Sequence, residues 1–356
     1  MTSVVSASAT SSASATPSCI TAVPDRNGHV PIDDCRALYA YYPSFAAAIV
    51  FSVIFGISLC LHVFQAFTWR KRFCWVIIMG VAWEMAAFVL RAVSIRHQIS
   101  MGLFIPSFML IFLAPLLLNA FDYMLLGRMI YYYIPSHSVF KIPATSLTKI
   151  FVLLDIVSFL VQATGGSMAS GDSSSAVTLG LNIYMGGIGL QQLAILVFSS
   201  LVVRMHMHLL RLEKSGELAG AGKERGWRKL LFTLYGSLTC ITIRIIFRLV
   251  EFSPAGKNSI ITDHEVFFYC LDAVPMTIAA YLFNCIHPGA ILVGPESEFP
   301  TKTRKQKKEE KRLKTEEKKA EKEEKRAQKE ARKAEKDERK KTTSSGLLPT
   351  TLKDVN

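Results

Sequence analysis

The chain has 356 residues, is 50% hydrophobic and carries a formal net charge of +13. Residues 301–342 hold 20 Lys/Arg and 11 Asp/Glu, so most of the positive excess lies in a C-terminal tail and the rest is apolar with few charges. That excludes an ordinary soluble globule and a nucleic-acid-binding domain spread over the chain, and seven cysteines over this length exclude a disulfide scaffold.

Residues 1–18 are almost all Ser, Ala, Thr and Val, with no Lys or Arg before Arg26. The stretch has neither the charge nor the apolar run of a secretory signal peptide. Residues 1–40 are therefore expected to be a disordered Ser/Thr-rich tail, open to O-glycosylation if it faces outward. Cys19 and Cys35 precede the first apolar stretch, on the side expected to be oxidising, so a disulfide between them is expected.

Seven apolar stretches follow at roughly 44–66, 73–94, 104–127, 149–168, 177–203, 229–250 and 265–286. Each is long enough to cross a hydrocarbon core of about 30 Å as a helix. The expected fold is an all-α integral membrane protein, a bundle of seven transmembrane helices over residues 41–293. Counting Lys/Arg in the connections places four on the N-terminal side and twelve on the other, before the tail is included. That bias predicts the N-terminus outside and the C-terminus in the cytoplasm. The tail, 294–356, pairs acids and bases at helical spacing, such as Glu321 with Lys325 and Asp337 with Lys341. It has no apolar seam, so it reads as solvated and partly helical, with anionic inner-leaflet lipid as its expected contact.

Charged groups inside a bilayer are costly and call for a partner or a function. Glu84 and Arg91 lie seven apart on one helix face, as do Asp155 and Gln162. Arg244, Arg248 and Glu251 share a face of the sixth stretch, and Glu265, Tyr269 and Asp272 repeat that spacing on the seventh. These faces should point into the bundle. Glu84, Arg91, Asp155, Gln162, Gln192, Arg244, Tyr269 and Asp272 are the candidates for a substrate or ion pathway. Arg248, Glu251 and Glu265 are candidates for structural ion pairs, with Arg248 pairing either to Glu251 or across to Glu265. Asp122 and Gln191 are weaker pathway candidates. Pro115 and Pro275 fall within helices and should bend them. Gly165, Gly166, Gly180 and Gly187 suit close helix packing.

No Walker A motif or converging zinc ligands stand out, and His206 and His208 fall in an expected loop. No metal, no cofactor and no enzymatic activity are expected.

Several blocks match a family pattern. Glu84-x-x-Ala87-Phe88-x-x-Arg91 resembles a Glu-x-x-Gly-Tyr-x-x-Arg motif, and Leu113-Ala114-Pro115 precedes Tyr123 and Gly127-Arg128. Asp155-Ile156-Val157-Ser158 leads to Gln162, and Gly187-x-Gly189-Leu190-x-Gln192 follows on the fifth stretch. The most specific block is Arg244-x-x-Phe247-Arg248-x-x-Glu251 with Glu265, Tyr269, Asp272 and His287-Pro288-Gly289. Over about residues 40–293 the chain resembles the fungal RTA-like proteins, the lipid-translocating exporter family. Ala87, Phe88 and Phe247 depart from it and remove two hydroxyls. The resemblance implies a transporter of amphipathic lipid-like molecules: sphingoid bases, sterol-like amines or porphyrins. Its partners would be membrane lipids and the transported amphiphile, and its location the plasma membrane, or alternatively an endomembrane. The alternative activity is a seven-helix lipid sensor or receptor.

Overall fold

A computed structural model describes residues 21–31, 34–39, 41–136, 138–139, 142–171, 173–220, 226–253, 260–294, 297 and 299, together with scattered positions between 309 and 330. Seven helical spans, each long and apolar enough to cross a membrane, run Phe45–Trp69, Arg72–Arg96, Met101–Tyr133, Ser146–Ala169, Ser174–Lys214, Trp227–Phe252 and Glu265–Ile291. Consecutive spans pack side by side, the seventh closes the ring against the first, and the third also touches the sixth. Two ends result. Residues 97–100, 170–171, 253 and 260–264 gather with the described N-terminal segment at one, here called the Cys35 end. Residues 70–71, 134–136, 142–143, 215–220 and 226 gather at the other, the Arg70 end. Large apolar side chains such as Ile49, Val53, Ile57, Leu61 and Phe64 point outward from the first span, as lipid contact requires.

Helix boundaries have local causes. Ser44 caps the first span, its hydroxyl accepting from the Ala47 N–H, and Ser173 caps the fifth through Ala176 N–H. The third span has 33 residues and the fifth 41, both longer than their apolar stretches. His206 and His208 are therefore helical, a correction to the loop expected there. Polar residues mark where a helix leaves hydrocarbon, and nothing in Arg204–Lys214 stops the backbone ladder. The fourth and fifth spans touch at glycines: a Cβ on Gly165 would come within 2.4 Å of the Tyr184 backbone nitrogen, and one on Gly180 within 2.4 Å of that of Ala169. A two-residue hairpin pairs Ser138–Val139 with Ile142–Pro143 before the fourth span.

The seventh span is not one regular helix. An α turn over Glu265–Phe268 passes into a π turn over Tyr269–Ala273, and α geometry resumes at Val274–Cys285. Pro275 follows the widened turn. Its ring crowds the carbonyl four residues back, Leu271, which lies inside that turn.

The tail expected over 1–40 becomes a built cap over its described part. Asp25 Oδ1 accepts from the N–H groups of Asn27 and His29 at 2.7 and 2.9 Å, turning the chain. Gly28, at φ 85°, then passes so close to the Arg96 carbonyl that a Cβ would sit 1.9 Å from its oxygen. Asp34 ties Ala22 N–H at 2.7 Å to Arg36 at 3.0 Å, and the Val30 N–H reaches Gln98 at 3.1 Å. Cys35 is disulfide-bonded and Cys60, Cys74, Cys240, Cys270 and Cys285 are free. Cys19 lies outside the described residues.

The first compact unit ends at Phe299. Lys71 Nζ donates to Ser297 Oγ at 2.6 Å, and the Phe299 ring meets Tyr131 at 5.2 Å. The second unit, Pro300–Asn356, is helical and exposed where described, with Arg312 and Glu316 4.0 Å apart.

Candidate functional site

The second, sixth and seventh spans bring their charged faces together toward the Cys35 end. Arg91 Nη2 meets Glu265 Oε1 at 2.7 Å and the Tyr41 hydroxyl at 2.9 Å, while its Nε lies 3.4 Å from Tyr269 Oη. The Ser44 N–H donates to the other Glu265 oxygen at 2.6 Å, so the cap and the first span are tied in as well. On the sixth span, Arg244 Nε lies 2.5 Å from Asp272 Oδ1, and its Nη2 donates to the Ile111 carbonyl at 2.8 Å. Arg248 pairs with the second Asp272 oxygen and with Glu251 at 2.8 Å. Arg248 thus keeps Glu251, one of its two expected partners, whereas Glu265 goes to Arg91 instead of Arg248 and Asp272 takes two arginines. Helical spacing identified the faces, but the π turn inserts extra backbone between Glu265 and Asp272 and changes which neighbour each meets.

Aromatic rings line this lattice. Arg91 lies over Phe268 at 4.5 Å and Arg248 over Phe112 at 4.6 Å. Tyr269 stacks on Phe51 at 5.0 Å. Apolar walls exclude water and strengthen each ion pair.

Three arginines, Arg91, Arg244 and Arg248, face four carboxylates, Glu265, Asp272, Glu251 and Glu84. Glu84 is the odd one. It is 3% exposed, stands within electrostatic reach of Arg244, Asp272 and Arg248, and makes no hydrogen bond or ion pair among the described residues. With all four acids ionised the lattice is one positive charge short.

A second polar group lies in the middle of the bundle. Asn119 Nδ2 donates to Asp155 Oδ2 at 3.3 Å, and Ser237 Oγ donates to Asp122 Oδ2 at 2.7 Å. Gln162 Nε2 donates to Gln191 Oε1 at 3.1 Å, joining the fourth and fifth spans. Asn119 Oδ1, Asp122 Oδ1, Asp155 Oδ1, Tyr123 Oη and Gln192 Oε1 are buried without a partner among the described residues. Asp155 and Gln162 are thus bonded to the third and fifth spans and not to the arginine lattice, and Gln192 makes no ion pair with those arginines among the described residues. Among the described residues, no three His, Cys, Asp or Glu are placed to hold a metal ion.

Tyr41, Ser44, Phe112 and Asn119 take part in these networks without having been singled out in the sequence. Asn119 had a legible signal, since it lies three residues before Asp122 on one helical stripe. Tyr41 and Ser44 precede the first span and carry none.

A family model described as RTA1 like protein matches residues 77–294. The "Probable lipid transporter atnI" of Emericella nidulans is 41% identical over 316 residues, covering 85% of this chain and 81% of its own. "Protoporphyrin uptake protein 1" of Saccharomyces cerevisiae is 29% identical, covering 71% and 92%. "Sphingoid long-chain base transporter RSB1" of the same species is 26% identical, covering 74% and 76%. No solved structure matches the chain at a significant level. A lattice of buried charge inside seven apolar spans therefore comes with a family match over most of those spans: the chain belongs to the RTA1-like family of membrane proteins.

Proposed function

We propose that the protein moves cationic amphipathic lipid-like molecules across its membrane, with Glu84 as the acid that receives the headgroup. The observation that carries this reading is the charge count: three arginines against four carboxylates, with Glu84 buried and unpaired among the described residues. One monocationic headgroup, or one proton, supplies the missing charge. A sphingoid base has that chemistry, and relatives bear names of lipid, sphingoid-base and porphyrin carriers. Asp272, held by two arginines, serves instead to fix the sixth span to the seventh. Arg91 and Tyr269 position Glu265 and close the Cys35 end.

In this reading the Cys35 end faces out and the Arg70 end faces the cytoplasm, at the plasma membrane, following the Lys/Arg bias. Cys19 and Cys35 then form a disulfide outside, and the Lys/Arg-rich tail touches anionic inner-leaflet lipid.

The test is flux of a fluorescent long-chain base through liposomes carrying the purified protein. Glu84→Gln keeps the side-chain shape and removes the charge. We expect its folded yield to match wild type while flux falls by at least about tenfold, a change of about 1.4 kcal/mol. Unchanged flux in Glu84→Gln removes Glu84 from the pathway. Absence of flux in the wild type removes the transport reading itself.

A further inference from the structure

We propose that the groove between the Arg70 ends of the first and second spans binds the headgroup of one anionic phospholipid. The first span ends at Trp69, and the second is entered through a tight turn at Arg72–Cys74. Between them Arg70 takes φ 52°, the one positive φ outside glycine among the described residues. Its N–H donates to the Ala66 carbonyl at 2.9 Å, so this left-handed residue is the cap that ends the first span. The turn presents Arg70, Lys71 and Arg72 together at the mouth of a groove of about 280 Å³.

The groove has the two halves of an amphipathic anion. Its wall is apolar, formed by Val63, Phe67 and Ile78 with Trp75. Phe67 and Trp75 are 69% and 53% exposed, facing where lipid would lie. Aromatic rings of this kind settle at the headgroup level of a bilayer. At the mouth, Lys71 is occupied with Ser297 at 2.6 Å, but Arg70 and Arg72 are exposed and meet no acidic group among the described residues. Guanidinium groups match phosphate in planar two-bond contacts better than any other side chain. A phosphodiester on Arg70 and Arg72, with an acyl chain along Val63, Phe67 and Ile78, fills both halves. A zwitterionic lipid would bring a choline or ethanolamine cation toward the same arginines and be repelled. The site is opposite in charge preference to the carboxylate-rich lattice and lies at the other end of the bundle.

Trp75 gives a direct readout. The full-length protein is reconstituted in phosphatidylcholine vesicles containing brominated phosphatidylserine or brominated phosphatidylcholine. The Trp75 signal is taken as the fluorescence lost in Trp75→Phe. We expect this signal to be quenched at a several-fold lower fraction of brominated phosphatidylserine than of brominated phosphatidylcholine. Each arginine removed should weaken that preference roughly fivefold, so Arg70→Gln with Arg72→Gln abolishes it, while the corresponding double lysine variant retains part of it. Both arginines are exposed, so their replacement is expected to leave the helix packing intact. Equal quenching by the two lipids, or a preference that survives the double glutamine variant, overturns the proposal. So does displacement of the phosphatidylserine effect by inorganic phosphate at modest concentration, which would assign the groove to a soluble anion.

Discussion

The two buried polar groups answer their acids differently. At the Cys35 end, Glu265, Asp272 and Glu251 meet guanidinium groups at 2.8 Å or closer. In mid-bundle, Asp122 meets a serine hydroxyl and Asp155 an asparagine amide with the Tyr123 hydroxyl beside it, all neutral groups. Charge against charge in an apolar setting is strong and specific in register, and it clamps the second, sixth and seventh spans together. A neutral donor holds an acid with about 1 kcal/mol net and leaves it free to change its company. The first arrangement makes a frame, and the second makes an adaptable interior. Glu84 stands beside the frame without belonging to it, so it can exchange partners while the frame holds.

The comparison breaks first at Arg248. Replacing it by Ala strips one partner from Asp272 and the partner of Glu251, leaving buried charge uncompensated at a cost of about 3–5 kcal/mol. The expected result is a large loss of folded protein in detergent, measured by size-exclusion yield and thermal unfolding. A wild-type melting curve for Arg248→Ala would mean the lattice is ornamental.

A smaller effect is expected in the middle of the bundle. Asp155→Asn preserves shape and can still hydrogen-bond Asn119, so its stability should stay within about 1 kcal/mol of wild type. A loss as large as that of Arg248→Ala would put Asp155 in the same class as the lattice acids.

The smallest effect concerns the cap. The Arg36 side chain, then the Arg36 and Ala22 N–H groups, hold the Asp34 carboxyl below the usual carboxylate range. A depressed folded value means the contribution is complete above the ordinary carboxylate range and is lost as pH falls through the lower, folded one. The cap should therefore loosen only in strong acid, with little change between pH 5 and pH 8. Hydrogen exchange at the Ala22 and Arg36 amides measures this. Loosening already at pH 5 would show that Asp34 is not the tie.

Hydropathy made the seven spans legible, because a bilayer core demands a minimum apolar length from each. The same demand says nothing of where a helix ends beyond the lipid, and so the extra turns of the third and fifth spans were not readable. Charged faces were readable from spacing. The pair Arg248 with Glu251 was among those expected, but Glu265 with Arg91 was not, because Glu265 was projected along a regular helix, whereas a π turn begins four residues after it. Glu84 was recognisable as a buried acid, but only the packed sixth and seventh spans reveal that Asp272 has taken the arginines and left Glu84 without one. The cap was illegible for a different reason. Its hold comes from contacts with the Arg96 carbonyl and the Gln98 side chain, more than sixty positions away, and neither composition nor periodicity carries such information.

The widened turn in the seventh span makes residue number itself a constraint. A regular helix advances 100° per residue, so removing one residue from Tyr269–Ala273 would restore α geometry and swing everything before it by about that angle. Glu265 would then leave Arg91 and turn toward lipid, although every side chain in the lattice would still be present. The segment between Glu265 and Asp272 should thus tolerate exchanges of apolar residues far better than a gap. A chain lacking Cys270 would test this: its folded yield should fall as far as that of Arg248→Ala, whereas Cys270→Ala should keep the wild-type yield.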